Sequence, residues 1–337
     1  MQVELNKKEG KSTILFAVLN WGLGHAARSI PLIHKLIDQG HRIILASDGQ
    51  AGLFLSQSFP ELEYLELPGY NIHYNNKHIE WSLLFQAPKM LGGVSNEHRA
   101  TKAICKAYNV DWIISDSRFG CFNPLIRSTI ITHQIILISL KPVFSFFGNL
   151  INKYYLNRFD ECWVPDDESM RLSGKLSQGS LKIPIKYIGI LSRFEFEEVE
   201  EDIDVLIVLS GPEPMRSLFE KKLTQQFKQW ERPLVLIRGV VEDKVNQSNE
   251  GFLTTYNYQN SKELNDLLNR SKLVISRSGY SSVMDYVHLE KKAILIPTPG
   301  QNEQIYLAKH LDHYTYFSFL EENEILEKLD GMIESFL

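Results

Sequence analysis

Ser276–Asp285 reads S-R-S-G-Y-S-S-V-M-D, and Pro299–Gln304, one element downstream, reads P-G-Q-N-E-Q. The first stretch begins where the apolar run Leu273–Ser276 ends as a strand. Gly279 permits a tight turn and close backbone approach. A helix then starts, with Tyr280, Ser281 and Ser282 supplying its leading N–H groups. A helix N-terminus rimmed by small hydroxyls is a ready phosphate site. Asp285 lies three and four residues past Ser282 and Ser281, on the same helix face. A carboxylate one turn from a phosphate can accept both hydroxyls of a ribose. After the next strand, Ala293–Pro297, a loop offers Gln301, Asn302, Glu303 and Gln304. Amides and a carboxylate of this kind suit a polyhydroxylated sugar. Each piece alone also reads as a plain helix cap or a solvated loop; their succession after consecutive strands argues for a nucleotide-sugar site.

Strand and helix signals alternate outward from this stretch. Upstream lie the strands Asp204–Leu209 and Leu234–Ile237, with helices over Met215–Trp230 and Ser261–Asn269; a helix from Tyr280 to Leu289 precedes Ala293–Pro297. In the first half, Ser12–Leu19, Arg42–Ala46, Leu62–Leu67, Asp111–Ser115, Ile135–Leu140 and Glu161–Val164 read as strands. A helix runs from His25 to Gln39, and an acidic helix start falls at Asp166–Asp167. Such alternation implies parallel sheets with right-handed crossovers. Leu191–Asp202, L-S-R-F-E-F-E-E-V-E-E-D, breaks the pattern and is read as the inter-domain connection. The expectation is an α/β chain of two Rossmann-like domains, 1–190 and 191–320, with parallel sheets facing a central cleft. The amphipathic tail 321–337 is free to pack back on the first domain. Ligands of such sheets lie beyond the C-terminal strand ends.

Composition narrows the function. The 337 residues suffice for two domains, and 44% hydrophobic with 23% charged is ordinary globular usage. A net charge of −5 gives no footprint for nucleic acid. Cys105, Cys121 and Cys162 have no C-x-x-C spacing, which argues for a reducing compartment and against structural zinc. Residues 1–11 lack a signal pattern, and no apolar run reaches the ~18 residues of a bilayer span. The expectation is a cytoplasmic protein.

The first half carries its own motif. Asn20–Arg28 reads N-W-G-L-G-H-A-A-R and falls between the first strand and the first helix. Gly22-x-Gly24-x-x-Ala27 with Asp48 matches a relaxed dinucleotide fingerprint, so a nicotinamide-dependent dehydrogenase is weighed. His25, directly after the second glycine, is a general-base candidate. Asp116, after the strand Asp111–Ser115, could orient it; His133, read as preceding a strand, is a further candidate. Pro68–Trp81, P-G-Y-N-I-H-Y-N-N-K-H-I-E-W, gathers Tyr70, His73 and Trp81, whose rings could stack on an acceptor.

The C-terminal stretches resemble the donor-binding motif of GT-B glycosyltransferases of families 1 and 28, the latter including the N-acetylglucosaminyltransferase of peptidoglycan synthesis. In that pattern a glycine turn and small polar residues hold the diphosphate, an acidic residue six positions later holds the ribose, and an acidic-Gln pair holds the sugar. Gly279, Asp285, Glu303 and Gln304 match in order and spacing. The departure is Asp285, where the family carries Glu; one methylene shorter, it implies a looser or water-mediated contact. Leu209–Pro214, L-S-G-P-E-P, stands where the family has a glycine-rich loop, so Ser210 and Gly211 are expected near the diphosphate or the acceptor. The family also presents a His toward the acceptor from the loop that holds His25, and the His25–Asp116 pairing resembles the dyad of family 1.

The resemblance implies an inverting, metal-independent hexosyltransferase of carbohydrate biosynthesis. It takes a nucleoside-diphosphate sugar, UDP-linked by expectation, and a hydroxyl acceptor, and needs no cofactor. Asp202-x-Asp204 spells D-x-D but precedes a strand, so no metal role is assigned. A nucleotide-sugar epimerase or hydrolase of the same fold, the dehydrogenase, and a silent sugar-binding module are the rivals. Pro142–Phe159 holds Phe144, Phe146, Phe147, Tyr154, Tyr155 and Phe159, with only Lys153 and Arg158 charged. It is read first as a core helix; the second reading is peripheral contact with the inner membrane surface and a lipid-linked acceptor.

Overall fold

The computed structural model describes residues 10–70, 79–139, 142–240, 242 and 244–337. The chain divides into two compact units, Met1–Leu191 and Ser192–Leu337.

In the first unit the elements run β1 (Thr13–Val18), α1 (Gly24–Asp38), β2 (Arg42–Ser47), α2 (Gly49–Ser58), β3 (Glu63–Glu66), α3 (Ile79–Tyr108), β4 (Trp112–Asp116), β5 (Arg127–Ile131), α4 (Pro142–Leu156), β6 (Glu161–Val164) and β7 (Ile185–Tyr187). The strands pair in the order β3-β2-β1-β4-β5-β6-β7, all parallel. β1 and β4 are buried along nearly their whole length, as apolar β-branched runs in a doubly covered sheet must be. Strand order reverses between β1 and β4, where Val18 pairs with Asp116. The loops leaving these two strands therefore start side by side.

The second unit repeats the plan: β8 (Ile203–Val208), α5 (Met215–Gln226), β9 (Leu234–Ile237), β10 (Gln247–Glu250), β11 (Leu253–Tyr256), α6 (Ser261–Asn269), β12 (Ser271–Ser276), α7 (Tyr280–His288), β13 (Lys292–Leu295), α8 (Asn302–Leu311), β14 (Phe317–Phe319) and α9 (Ile325–Phe336). The order is β10-β11-β9-β8-β12-β13-β14, with only β10–β11 antiparallel. The reversal falls between β8 and β12, where Val208 pairs with Ser276.

Several expectations are corrected. The strand after β4 is Arg127–Ile131, not Ile135–Leu140. A single strand lies between β4 and β6, and R-S-T-I-I takes that place. Ile135 is still buried, and Leu137 meets its backbone needs without a ladder: its N–H donates to Asn149 Oδ1 (2.7 Å), and Asn149 Nδ2 donates back to its carbonyl (3.0 Å). Asp166–Asp167 opens no helix, because the Asp166 carboxylate accepts the N–H groups of Leu172 and Ser173 and ties a turn. Asn302–Gln304 forms the first turn of α8 rather than a loop. The strands β7, β10, β11 and β14 have no counterpart in the sequence reading.

The tail belongs to the second unit. Ile325, Leu329 and Ile333 of α9 join Phe219 and Leu223 of α5 and the strands β8, β9 and β12 in one core. The acidic stretch after Leu191 is also ordered on that unit. Phe194 is buried, Asn265 and Asn269 of α6 accept the N–H groups of Glu195 and Glu197, and Glu201 reaches Lys291. The Asp202 carboxylate is taken by Arg270, and Asp204 by Arg232 and Lys272. The three cysteines are free and buried.

Helix α4 departs from the core reading. Leu156 and Asn152 face inward, but Val143, Phe146, Phe147, Leu150, Ile151 and Tyr154 are exposed, Phe146 at 67%. That spacing marks one helical stripe. The side chain of Phe144 lies outside the described residues. Among them, no helix is long and apolar enough to cross a membrane.

Candidate active site

Each unit carries a group of polar side chains at its strand-order reversal, where open α/β sheets bind ligands.

In the first unit the chain leaves β1 through Leu19–Leu23. Gly22 turns it at φ +74°, a conformation that L side chains rarely adopt. His25 therefore enters α1 in its first turn, beside the end of β4. His25 Nδ1 lies 2.8 Å from Asp116 Oδ1, across 91 residues of sequence. Asp116 closes β4 and is fully buried, while 19% of the His25 side chain remains exposed. Sequence reasoning missed Arg28, one turn after His25. It is buried, its Nε donates to Asp116 Oδ2 (2.7 Å), and its Nη2 reaches Oδ1 as well. Burial alone would raise the Asp116 pKa; the Arg28 guanidinium and His25 outweigh it and hold the carboxyl well below the usual range. Ser29 Oγ donates to the same carboxylate at 3.3 Å. Ser117, next in the chain, takes φ +60° and turns the loop away from β4.

His133 follows β5 rather than preceding a strand, and so stands at the same sheet edge. Its Nδ1 is 3.3 Å from Arg28 Nη1. His25, Arg28, Asp116 and His133 thus form one cluster. Tyr70 is not part of it. Its hydroxyl donates to Glu97 at 2.7 Å, and burial, with the Glu97 carboxylate next, pushes its pKa far up. Asp48 pairs through Oδ1 with Arg118 Nη1 at 2.6 Å. His73 and the side chain of Trp81 lie outside the described residues.

In the second unit β12 ends at Ser276 and α7 starts at Tyr280, with Gly279 as the N-cap residue and no side-chain cap. Gly279 has φ −72°, so the turn does not require glycine. What glycine provides is room: an added Cβ would meet nothing closer than Ser282 Oγ at 3.9 Å. Tyr280, Ser281 and Ser282 make up the first turn that follows it. Asp285, one turn on, is half-buried and accepts a hydrogen bond from Ser192 Oγ (2.6 Å). Burial raises its pKa to about 7, against the opposing pull of Ser192 and Arg193. Burial lowers the pKa of Arg193 in turn, and Asp285 is the charge opposing that shift. Both partners were read only as part of the connection; the S-R pair at its start was the available signal.

Gln304 Oε1 accepts the Thr298 N–H (2.8 Å), and its backbone carbonyl accepts Ser278 Oγ (2.8 Å). The first turn of α8, with Glu303 in it, is thereby tied to the loop before α7. Arg277 pins the same edge from below: it donates to the Pro297 carbonyl (3.0 Å), pairs with Glu322 and lies 3.7 Å over the Phe219 ring. Ser210 and Gly211, after β8, are exposed beside it. Glu213 of that loop is exposed, accepting the Ser217 N–H at the start of α5 and pairing with Arg216.

The second unit thus offers a helix N-terminus at α7 with the Asp285 carboxylate one turn on, and the first unit a partly exposed imidazole at His25. Residues 205–336 match the glycosyltransferase family 28 C-terminal domain, and residues 12–141 match the family described as glycosyl transferase family 1. A UDP-N-acetylglucosamine–N-acetylmuramyl-(pentapeptide) pyrophosphoryl-undecaprenol N-acetylglucosamine transferase of Sulfurihydrogenibium sp. is 29% identical over 126 residues, 37% of this chain and 35% of the relative. The corresponding transferase of Oceanobacillus iheyensis is 26% identical over 42% of this chain and 43% of its own length. Each match thus spans less than half of the relative. Among solved structures, the calicheamicin glycosyltransferase CalG4 superposes with a TM-score of 0.67 at 14% identity, over 97% of this chain and 90% of that one. MurG of Acinetobacter baumannii gives 0.59 at 14% identity, over 96% and 91%.

Proposed function

We propose that this chain, a GT-B glycosyltransferase by its fold and by the family models matching both of its units, moves a hexose from a nucleoside diphosphate to a hydroxyl with inversion and without a metal. The observation that carries this reading is the α7 edge of the second unit. Gly279 gives α7 no side-chain cap, and an added Cβ there would meet nothing closer than Ser282 Oγ at 3.9 Å; the Asp285 carboxylate lies one turn further, and Gln304 is tied alongside through Ser278. A diphosphate fits the N–H groups, a ribose the carboxylate and a sugar the amide and acid of α8.

The transfer proceeds in one displacement. The acceptor oxygen attacks the anomeric carbon while its proton passes to His25 Nε2. The bond from that carbon to the diphosphate breaks, and the electron pair leaves with the nucleoside diphosphate. The first-turn N–H groups of α7 and the helix dipole take up the developing charge, which is why no metal is needed for the departure. The pairing of Asp48 with Arg118 weighs against a nicotinamide enzyme.

The donor is assigned as a UDP-sugar, which is what the N-acetylglucosamine transferases named above use by their names. Those names also carry an undecaprenol-linked acceptor, and the α4 stripe supports an acceptor met at an anionic lipid surface. Its six exposed apolar side chains are accompanied by Lys153 and Arg158, with no acid over residues 142–159. The helix is tied to the loops holding the cluster: Asn149 bonds Leu137, and Tyr155 stacks on Phe119 at 5.5 Å.

A thermal-shift screen of UDP-, GDP-, dTDP- and CMP-sugars, followed by a nucleotide-release assay, tests the reading. A UDP-sugar should raise the melting temperature most. A shift with NAD and none with any nucleotide sugar would overturn it.

A further inference from the structure

The Asp285 carboxylate is not held by its own helix alone. Ser192, the first residue of the second unit, donates from Oγ to Asp285 Oδ1 at 2.6 Å, across 93 residues of sequence. The same Oγ accepts the Phe194 N–H at 3.2 Å while giving its one proton to Asp285. The segment that carries Ser192 is itself fixed. Phe194 is buried, Asn265 and Asn269 of α6 accept the N–H groups of Glu195 and Glu197, and Asn269 Nδ2 donates back to the Glu195 carbonyl at 2.9 Å.

We infer that Ser192 is a positioning residue of the donor site, whose hydroxyl fixes the rotation of the Asp285 carboxylate and so sets how well the protein tells a ribose from a sugar ring lacking its hydroxyls. The torsion that turns an Asp carboxylate is broad and roughly two-fold. A carboxylate without a fixed partner therefore spreads its oxygens over a range of directions. A hydroxyl-to-carboxylate bond of 2.6 Å is of the short, charge-assisted kind, and it commits Oδ1. Oδ2 is then the oxygen assigned to the ribose. The Ser192 hydrogen bond also opposes the burial that disfavours the ionised carboxyl, and the ionised form is the one that accepts hydroxyl protons at both oxygens.

The acidic connection thereby takes part in ligand recognition through its first residue. Ser192 acts on the nucleoside only through Asp285, which sets it apart from a residue that touches the ligand. A role in packing alone would change the affinity for every nucleotide equally. A role through Asp285 changes only the part of the affinity that the ribose hydroxyls supply.

This deepens the nucleotide-sugar reading and rests on it for the ribose at Asp285. Calorimetric titration of the full chain with UDP and with 2′,3′-dideoxyuridine 5′-diphosphate tests it without turnover. Wild type should prefer UDP by roughly tenfold or more, the worth of hydrogen bonds to a charged group. Ser192→Ala should bring the two ligands to within about threefold of each other, chiefly by weakening UDP. Ser192→Thr keeps the hydroxyl and should keep the preference. In an Asp285→Ala background, Ser192→Ala should leave UDP affinity unchanged, because its effect runs through the carboxylate. An undiminished preference in Ser192→Ala, or an equal loss for both ligands, would overturn the inference while leaving Asp285 at the ribose. Wild type that binds both ligands equally takes Asp285 off the ribose and the inference with it. Wild type that binds neither ends the nucleotide-sugar reading itself, and the inference falls with that reading.

Discussion

Asp285→Asn should stabilise the fold at alkaline pH while weakening the donor site. The Asp285 carboxyl is held at about 7 against an ordinary value of 3.8, with burial the main cause. At about 1.4 kcal/mol per pH unit, that difference is on the order of 4 kcal/mol. The sign follows from proton linkage. A carboxyl whose pKa is raised by folding binds more protons in the folded state between these two values, so its contribution turns against the fold as pH climbs from 3.8 to about 7 and stays constant above. Asparagine cannot ionise and escapes this loss, although Arg193 then loses its counter-charge, which offsets part of the gain. The pH-dependent part is free of that offset. Between pH 5 and pH 8 the difference in stability between variant and wild type should widen by roughly 2.6 kcal/mol, about 5–10 °C for a unit of this size. Calorimetric melts at pH 5, 6.5 and 8 measure it, with the two units resolved as separate transitions where they separate. UDP affinity in the variant should drop by ~10–150-fold, the cost of losing a charged hydrogen-bonding partner. A difference in melting temperature that stays flat across this range would refute the raised carboxyl, and unchanged UDP affinity would remove Asp285 from the ribose.

His25→Ala should keep donor affinity and lose turnover by ~10²–10⁴-fold, the usual worth of a general base, as read from nucleotide release at saturating donor. Gly279→Ala should fold normally, because its φ is ordinary and the new Cβ meets nothing within 3.9 Å, yet weaken nucleotide-diphosphate binding about tenfold or more by filling the space before α7; calorimetric titration alongside melting separates the two effects. Phe146→Ser with Leu150→Ser should abolish co-sedimentation with anionic vesicles at physiological salt while leaving the melting temperature within a few degrees, since both side chains are exposed. Wild-type protein remaining in the supernatant at low salt would end the lipid-surface assignment.

How much could be read beforehand varied with the range of the signal. The β12–α7 junction was legible because a strand, a glycine and a periodic apolar helix follow within fifteen residues, and Tyr280 indeed begins α7. The start of α8 was not, because Gln301 precedes it with no side-chain cap, and Q-N-E-Q lacks a start signal. Two β-prone runs, R-S-T-I-I and I-I-L-I-S-L, competed for one strand position. The sheet accepted the first, and the Asn149 amide took over the backbone of the second, a substitution that no periodicity displays. The core reading of α4 followed from its aromatic content, yet a stripe repeating at i, i+3, i+4 and i+7 is equally what an outward apolar face looks like. Arg28 was overlooked as an ordinary helix residue. Its spacing from His25 places both on one face, but only the fold brings up the Asp116 carboxylate that gives the pair meaning.

Buried charge takes two forms in this chain. Arg118 spends its donors on Glu97, Asp48 and the carbonyls of Val18 and Pro68, and Arg277 spends its own on Glu322 and the carbonyls of Ile296 and Pro297. Both groups fix loop starts, and their carboxylates Glu97 and Glu322 are buried with them. Asp116 and Asp285 stand otherwise. Asp116 is buried, but through His25 it connects to a ring that is partly exposed. Asp285 is half-buried and accepts from Ser192 Oγ, and a carboxylate has capacity for further donors. Apolar residues at such positions would often stabilise the fold. A carboxylate whose ionised form is opposed by burial, as that of Asp285 is, and that lies at a strand-order reversal is better explained by a ligand than by packing. Among the described residues of the second unit Asp285 meets that condition, which is the argument for placing the proposed ribose contact there.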